Sequence, residues 1–226
     1  MSDRYCKVRY SKDGGYNWSH WRTVDYGVTL TSVTTIPAGA VDASPALAMS
    51  ASLYELSVAT SPTPFTTWTL QPNPHGITMS TTGIVRYGGE RFLIGGDDGT
   101  GGSHQPKITF TADGTTFSAE TLPTMIANSS IQCAAYSEPL DTWIAGTNQG
   151  QFLYKVGEGA WTLSAYAFGT NVAVKSMEWT GVNFVAAGNH NVSLGLGVVA
   201  YSPDGIGWTT APTLEAINAQ ALAVMK

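Results

Sequence analysis

The sequence predicts an all-β protein, a β-propeller of about five four-stranded blades with its N- and C-terminal strands closing one shared blade. Two observations carry this prediction: a turn motif built around Asp-Gly recurs along the chain, and pairs of short strands recur ahead of it. The composition agrees, because only 12% of the residues are charged and 11% are aromatic. Such a composition is typical of short strands joined by tight turns and unlike that of a disordered chain.

The turn motif sets the period of the fold. It consists of an aromatic residue, Ser or Thr, any residue, Asp and Gly, followed after a short gap by a second aromatic residue. Three clear copies span 10–18, 110–117 and 201–208, and two degenerate copies span 60–68 and 154–161. The closing aromatic residues at 18, 68, 117, 161 and 208 are 50, 49, 44 and 47 residues apart. A period of about 47 residues is the length of one propeller blade of four strands.

Pairs of short strands precede three of these turns. Buried runs that end in glycine span 91–95, 142–146 and 183–188, and each follows another predicted strand, at 83–87, 131–136 and 172–179. One blade is therefore predicted as innermost strand, turn, second strand, loop, third strand, Asp-Gly turn and outermost strand. The segment 28–60 fits this repeat poorly, which predicts an irregular blade there.

The two ends of the chain are predicted to complete the ring within a single domain, 1–226. The segment 5–10 reads as a third strand without inner strands of its own, and 216–225 reads as an innermost strand without a turn motif. Pairing them removes two exposed sheet edges. The alternative for the C-terminal segment is a short helix. The predicted blades are 216–226 together with 1–27, then 28–75, 76–123, 124–168 and 169–215.

The residues of the turn motif are predicted to be structural. The Asp side chain can accept hydrogen bonds from backbone N–H groups of its own turn, and Gly adopts positive φ at little cost. The second aromatic residue is predicted to insert between blades, where it buries a large apolar area. These structural positions are Ser11, Asp13, Gly15, Trp18, Thr111, Asp113, Phe117, Ser202, Asp204 and Trp208.

The motif resembles that of the Asp-box, or BNR, repeat family of β-propellers. Residues Ser11, Asp13, Gly15 and Trp18 match the pattern Ser-x-Asp-x-Gly-x-x-Trp in full, whereas the copies at Asp113 and Asp204 are one residue shorter between Asp and the aromatic. The resemblance implies the propeller fold. It does not fix a function, because sialidases, sorting receptors, assembly factors and viral proteins share the repeat.

A longer stretch points to a function class. Residues 9–22 read Arg-Tyr-Ser-Lys-Asp-Gly-Gly-Tyr-Asn-Trp-Ser-His-Trp-Arg and resemble a segment of tailed-phage head-to-tail stabilisation and tail-hub proteins. The resemblance implies a non-catalytic structural or adhesive protein of the virion, in a phage tail, with other virion or tail proteins as partners and with assembly into a homo-oligomer. The alternative is a lectin-like propeller that recognises a cell-surface glycan on the host.

No enzyme is predicted. Sialidase chemistry, as the repeat family implies it, needs three Arg on the substrate carboxylate, a Tyr nucleophile, a Glu and an acidic Asp. The chain has five Arg, of which only Arg86 and Arg91 lie beyond residue 22, and both flank one hairpin. Other carboxylates are scattered, and the four His lack metal-binding spacing. The sequence therefore predicts no catalytic residues, no metal and no cofactor.

Two loops are the predicted ligand-binding candidates. Both join the second and third strands of a blade, on the face opposite the Asp-Gly turns, where propellers commonly bind ligands. The first, glycine-rich and within 95–107, can be interpreted as a flexible loop or, alternatively, as a Ca²⁺ cradle. The candidate residues are Asp97, Asp98 and His104 in the first loop, and Asn189, His190 and Asn191 in the second.

Charge and hydropathy limit the partners and the location. The net charge of −5 argues against nucleic acid as a partner. No run of about 18 apolar residues is present, so no membrane span is predicted, and the polar start of the chain does not read as a secretory signal. The expected location is the virion, or otherwise a soluble state. Cys6 and Cys133 are predicted to be reduced core residues.

Overall fold

The computed structural model describes residues 6–8, 22–24, 40–44, 46–51, 58–62, 69–71, 81–99, 104–169, 172–190 and 197–211. All regular secondary structure within these ranges is β-strand. No helix long and apolar enough to cross a membrane is found among these residues. The first turn motif, with Ser11, Asp13, Gly15 and Trp18, lies outside the described residues. So does the predicted closing strand at 216–226.

The strands form four antiparallel sheets of four, in chain order, and one hairpin. The hairpin is β1 (Cys6–Val8) and β2 (Arg22–Val24). Blade 1 is β3 (Ala40–Ala43), β4 (Leu47–Ala51), β5 (Val58–Pro62) and β6 (Thr69–Gln71). Blade 2 is β7 (Thr81–Gly88), β8 (Arg91–Asp97), β9 (Pro106–Thr111) and β10 (Ser118–Ala119). Blade 3 is β11 (Ile131–Ser137), β12 (Thr142–Thr147), β13 (Gln151–Val156) and β14 (Thr162–Ala167). Blade 4 is β15 (Val172–Trp179), β16 (Phe184–His190), β17 (Gly197–Ser202) and β18 (Thr209–Thr210).

The first strands of the blades lie side by side. Strand β3 contacts β7, β7 contacts β11, and β11 contacts β15, so each blade places its first strand nearest the centre. Sheets that radiate in this way form a β-propeller, and the predicted fold class is confirmed. Blade 1, which was expected to be irregular, has the same four-stranded antiparallel order as the others, with shorter strands.

Aromatic side chains fill the space between blades. Phe117 packs against a cluster that contains Met49 of blade 1 and Phe92 of blade 2, and Trp161 lies in the cluster that joins blades 2 and 3. Trp208 lies between blades 3 and 4, with its ring centroid 4.6 Å from that of Phe152. Each of these side chains follows the turn between the third and fourth strands of its own blade, and it reaches back to the preceding blade. The buried apolar area of these side chains helps to stabilise the contact between neighbouring sheets.

Glycines let the same turns approach the preceding blade. Gly205 has a φ of +79°, and a Cβ atom there would lie 2.2 Å from Ile144 Cδ1 in blade 3. Gly114 has a φ of +72°, and its Cβ would lie 2.9 Å from Leu47 Cδ2 in blade 1. Glycine at these positions therefore satisfies both a left-handed backbone and a close contact between blades.

A second aromatic repeat holds the first two strands together in blades 2, 3 and 4. The pairs Tyr87–Phe92, Tyr136–Trp143 and Trp179–Phe184 have ring centroids 5.0, 4.8 and 4.7 Å apart. In each pair the two residues are direct cross-strand partners near the turn. Aromatic cross-strand pairs stabilise antiparallel sheets beyond the area that they bury.

Candidate functional site

The Asp113 turn shows how the motif residues are used. Asp113 Oδ1 accepts hydrogen bonds from the backbone N–H groups of Thr115 at 2.8 Å and Thr116 at 2.7 Å. The backbone N–H of Gly114 donates to Thr111 Oγ1 at 2.9 Å. These bonds satisfy the backbone donors of the turn, so the carboxylate holds a hairpin.

The Asp204 turn repeats this arrangement in blade 4. Asp204 Oδ1 accepts from the backbone N–H groups of Ile206 and Gly207, both at 2.9 Å. The hydroxyl of Ser202 donates to the same oxygen at 2.9 Å, and the N–H of Gly205 donates to that hydroxyl oxygen at 2.8 Å. Asp113 and Asp204 thus play the same structural part in two blades.

Hydrogen bonding keeps both carboxylates ionised. The backbone N–H groups of Thr116 and Thr115, followed by the Thr116 hydroxyl, hold the pKa of Asp113 well below its ordinary value. Partial burial opposes ionisation of Asp204, but the hydrogen bonds from Ile206, Gly207 and Ser202 outweigh it and lower its pKa. A carboxylate with a lowered pKa is a poor proton donor near neutrality.

The degenerate turn of blade 3 carries an ion pair to the neighbouring blade. Lys155 occupies the position of Thr111 in the repeat, and its ammonium lies 3.0 Å from Glu120 Oε2 at the end of blade 2. The side chains are 5% and 20% exposed. This ion pair joins two blades, and it was not predicted from the sequence because no local pattern links two residues 35 positions apart.

The first candidate loop is stabilised by its own carboxylates. Asp97 is the last residue of β8 and is buried, rather than lying in a loop as predicted. Its Oδ1 accepts from the N–H of Gly99 at 2.9 Å and lies 3.3 Å from His104 Nδ1. Asp98 Oδ1 accepts from the N–H of Gln105 at 2.8 Å. The structure therefore brings Asp97, Asp98 and His104 together.

The second candidate group lies elsewhere. Asn189 and His190 belong to strand β16, where they pair with Ala173 and Val172, so the prediction that they lie in a loop is wrong. The β-sheet hydrogen bonding of β15 and β16 extends further than the glycine at 188 suggested. Asn191 lies outside the described residues. Blade 3 separates this group in blade 4 from the first group in blade 2, so the two do not form one site.

Polar side chains connect blades 2 and 3 on the loop face, which is the side opposite the Asp-Gly turns. Asn128 has a φ of +62°, and its Oδ1 accepts from the N–H of His104 at 3.1 Å. Its carbonyl accepts from Asn148 Nδ2 at 3.0 Å, and Asn148 Oδ1 accepts from the N–H of Ser130 at 2.8 Å. These contacts place an ordered amide network on the face where the sequence predicted binding.

Three β-bulges lie in the innermost strands, at the centre of the ring. The register of β7 shifts between Thr82 and Ile84, that of β11 between Ile131 and Cys133, and that of β15 between Val174 and Ser176. The shifts occur at equivalent positions of the three innermost strands. The extra residues are Gly83, Gln132 and Lys175. Bulges bend a strand and redirect side chains, often beside binding sites.

A cavity of about 150 Å³ lies between these three strands. Arg86 of blade 2 forms an ion pair with Glu178 of blade 4 and donates from Nη2 to the carbonyl of Met177 at 3.3 Å. This pair joins blade 2 to blade 4. Polar and charged groups therefore line the centre of the ring: Arg86, Gln132, Cys133, Lys175, Ser176 and Glu178.

Cys133 lines the cavity without being a nucleophile. Its thiol donates to the carbonyl of Val174 at 3.7 Å, and its side chain is buried. Burial raises its pKa to about 12, so the thiol stays protonated near neutrality. In the ranges that the structure describes, no three His, Cys, Asp or Glu side chains are grouped so that they could hold a metal ion.

The sequence contains a signal for this cavity that the repeat analysis did not use. Gln132 and Arg86 each follow apolar residues within a predicted innermost strand, and Lys175 follows the apolar run 172–174 in another. A polar residue in a strand buried on both faces is uncommon and marks a position that meets a cavity or a partner. The fold aligns the three strands, and this alignment brings the three polar residues together.

Comparisons with known proteins support the fold. No model of a protein family matches the chain, and no curated protein matches it in sequence. Among solved structures, the chain is similar to the extracellular domain of a hybrid two component system from B. thetaiotaomicron, with a TM-score of 0.56, 14% identity, and coverage of 82% of this chain and 23% of that one. It is similar to YCF48 from Cyanidioschyzon merolae, with a TM-score of 0.55, 11% identity, and coverage of 82% and 59%.

A third similar structure is a GH74 xyloglucanase from Xanthomonas campestris, with a TM-score of 0.50, 11% identity, and coverage of 73% of this chain and 28% of that one. The chain spans less than two thirds of the length of each of these three proteins. At these identities the likeness extends to the fold and not to a function.

Proposed function

We propose that this chain is a non-catalytic binding propeller that serves as a structural or adhesive component of a tailed-phage virion. The observation that carries the proposal is the structural role of three charged side chains. Asp113, Asp204 and Lys155 all hold turns or join blades, which leaves a rigid ring with a polar loop face. Such a ring is suited to docking on other proteins.

The two arginines beyond residue 22 support a role without catalysis. The Arg91 guanidinium lies 4.2 Å from the ring centroid of Phe110 and 3.1 Å from Glu158 Oε1. Arg86 pairs with Glu178 in the centre of the ring. A sialidase grip on a substrate carboxylate needs several guanidinium groups aimed at one point, whereas these two groups already have other partners.

The virion assignment rests on the resemblance of residues 9–22 to head-to-tail stabilisation and tail-hub proteins. In such an assembly the partners are other virion or tail proteins, and the chain acts in several symmetric copies. The single domain predicted for 1–226 then forms one rigid unit of the tail.

Glycan binding is the second candidate. Its support is the likeness in fold to a xyloglucanase. A lectin-like propeller with one sugar site per blade needs equivalent loops between the second and third strands. The segments between those strands are 52–57, 98–105, 148–150 and 191–196 in blades 1 to 4, so their lengths range from three to eight residues. This difference favours the structural role.

Two measurements test the proposal. Immunogold labelling of virions from the phage that encodes the chain is expected to mark the tail, and the native mass of the purified protein is expected to be at least twice the chain mass of 23.9 kDa. A glycan array provides the competing result. Tight binding of a sugar by a monomer that virions do not contain would replace the structural role by the glycan-binding one.

A further inference from the structure

We propose that the cavity at the centre of the ring binds a carboxylate group, carried either by a free organic acid or by an acidic side chain of a docking partner. This inference deepens the proposed function, because it names the chemistry that the ring would recognise in a partner. It concerns the cavity between β7, β11 and β15, and it rests on the charge, the side-chain geometry and the size of that cavity.

The charge of the cavity wall favours an anion. Arg86 and Lys175 contribute two positive charges and Glu178 contributes one negative charge, which leaves one positive charge in excess. The complete chain carries a net charge of −5. All three groups act electrostatically on the Cys133 thiol in the same cavity, so their fields overlap there. A local positive excess in a cleft with low-dielectric walls concentrates anions.

Lys175 is the group placed to meet the ligand. It is the extra residue of the β15 bulge, and its side chain lines the cavity. Among the described residues it forms no ion pair, whereas Arg86 is already paired with Glu178. The two contacts that Arg86 makes with Met177 and Glu178 both involve Nη2. Gln132, from the β11 bulge, donates from Nε2 to Ser130 Oγ at 3.4 Å and has a second amide hydrogen on the same nitrogen.

The size of the cavity limits the ligand. The cavity has a volume of about 150 Å³. Sites for drug-sized ligands occupy roughly 300–1,000 Å³. A carboxylate on a short aliphatic stem fits this volume, and this is the chemistry of a small organic acid and of an Asp or Glu side chain.

The test uses propionate and the uncharged isostere propionamide as probes. Backbone amide shifts of the full chain are followed by NMR at constant ionic strength while each probe is added. Saturable shifts are expected at residues 83–86, 132–134 and 175–178 with propionate and not with propionamide. A capped peptide with a single Glu, compared with its Gln counterpart, then distinguishes a protein side chain from a free acid as the source.

Matched variants locate the interaction. Lys175→Gln is expected to weaken propionate binding by about tenfold, since about 1.4 kcal/mol of charge interaction is lost. Lys107→Gln is the control, because Lys107 lies 4.0 Å from Asp98 and outside the cavity, and binding should not change. Unchanged amide shifts elsewhere in the spectrum establish that both variants fold.

Two results would overturn the inference: equal shifts with propionate and propionamide, or propionate binding that survives Lys175→Gln. Binding of propionate with no binding of the Glu peptide would retain the carboxylate site and assign it to free acids. Neither result depends on whether virions contain the chain, so a failure here and a failure of the structural role are distinguishable.

Discussion

At the scale of single residues, the same side-chain type serves different purposes according to its partners. Asp113 and Asp204 are tied to backbone N–H groups of their own turns, whereas Asp97 stabilises a loop on the opposite face. The motif spacing predicts the role of the first two, because an Asp-Gly turn is a local structure. The surroundings of Asp97 depend on how far β8 extends, which the glycine-rich sequence after Ile94 does not reveal.

The hydrogen bonds of Asp113 predict a pH dependence of stability. The folded pKa lies below the unfolded value of about 3.9, so the stabilisation is fully present above that value and is lost as the pH falls through the folded pKa. Asp113→Asn keeps one acceptor oxygen but cannot ionise. In urea unfolding, the wild type should be the more stable near neutrality, and the difference should shrink below about pH 4. A difference that stays constant across this range would contradict the role assigned to the carboxylate.

Gly205 is expected to be intolerant of substitution for two reasons. Gly205→Ala places a side chain at a φ of +79° and within 2.2 Å of Ile144 Cδ1. Backbone strain and overpacking together predict a loss of about 2–4 kcal/mol in the free energy of unfolding. Gly181→Ala is the control, because Gly181 has a φ of +97° but no atom within 4 Å of its added Cβ. Its loss should be about 1 kcal/mol. Equal losses would show that contact with blade 3 contributes nothing.

At the scale of strands and turns, local sequence patterns predicted the strands but not the contacts between them. The segment 172–179 was predicted as a strand and forms β15 with the same bounds. The bulge within it at Lys175 was not predicted, because an extra residue in a ladder depends on the partner strand. The ion pair of Arg86 with Glu178 joins residues 92 positions apart, and no local pattern connects them.

The ion pair between blades 2 and 3 provides a prediction at this scale. Glu120→Gln leaves Lys155, which is 5% exposed, without its charged partner, and should lower the free energy of unfolding by about 2–3 kcal/mol. Glu158→Gln is the matched control, because Glu158 pairs with Arg91 but is 82% exposed. The control should cost less than about 1 kcal/mol. Urea unfolding of both variants measures the difference, and similar small effects would show that the buried pair does not join the blades.

At the scale of the whole molecule, the predicted period gave the architecture because a propeller repeats one local unit. Each blade has two large apolar faces, and it can bury them only against its neighbours. The predicted insertion of aromatic residues between blades has a counterpart at Trp161 and Trp208, which lie in clusters that span two sheets. The bulges of β7, β11 and β15 recur at equivalent positions, but the charged residues that line the cavity between them, Arg86, Lys175 and Glu178, differ from blade to blade.

This architecture predicts that the blades do not unfold separately. Trp208 packs against Phe152 of blade 3, so Trp208→Ala should lower the free energy of unfolding by about 2–4 kcal/mol. Because both blades lose a covered face, hydrogen exchange should accelerate in β12 and β13 as well as in β16 and β17. Tyr201→Ala is the control, since Tyr201 is 43% exposed in the same blade and should change exchange little. Acceleration confined to blade 4 would mean that each sheet is stable alone, and the single cooperative domain predicted from the repeat would then be wrong.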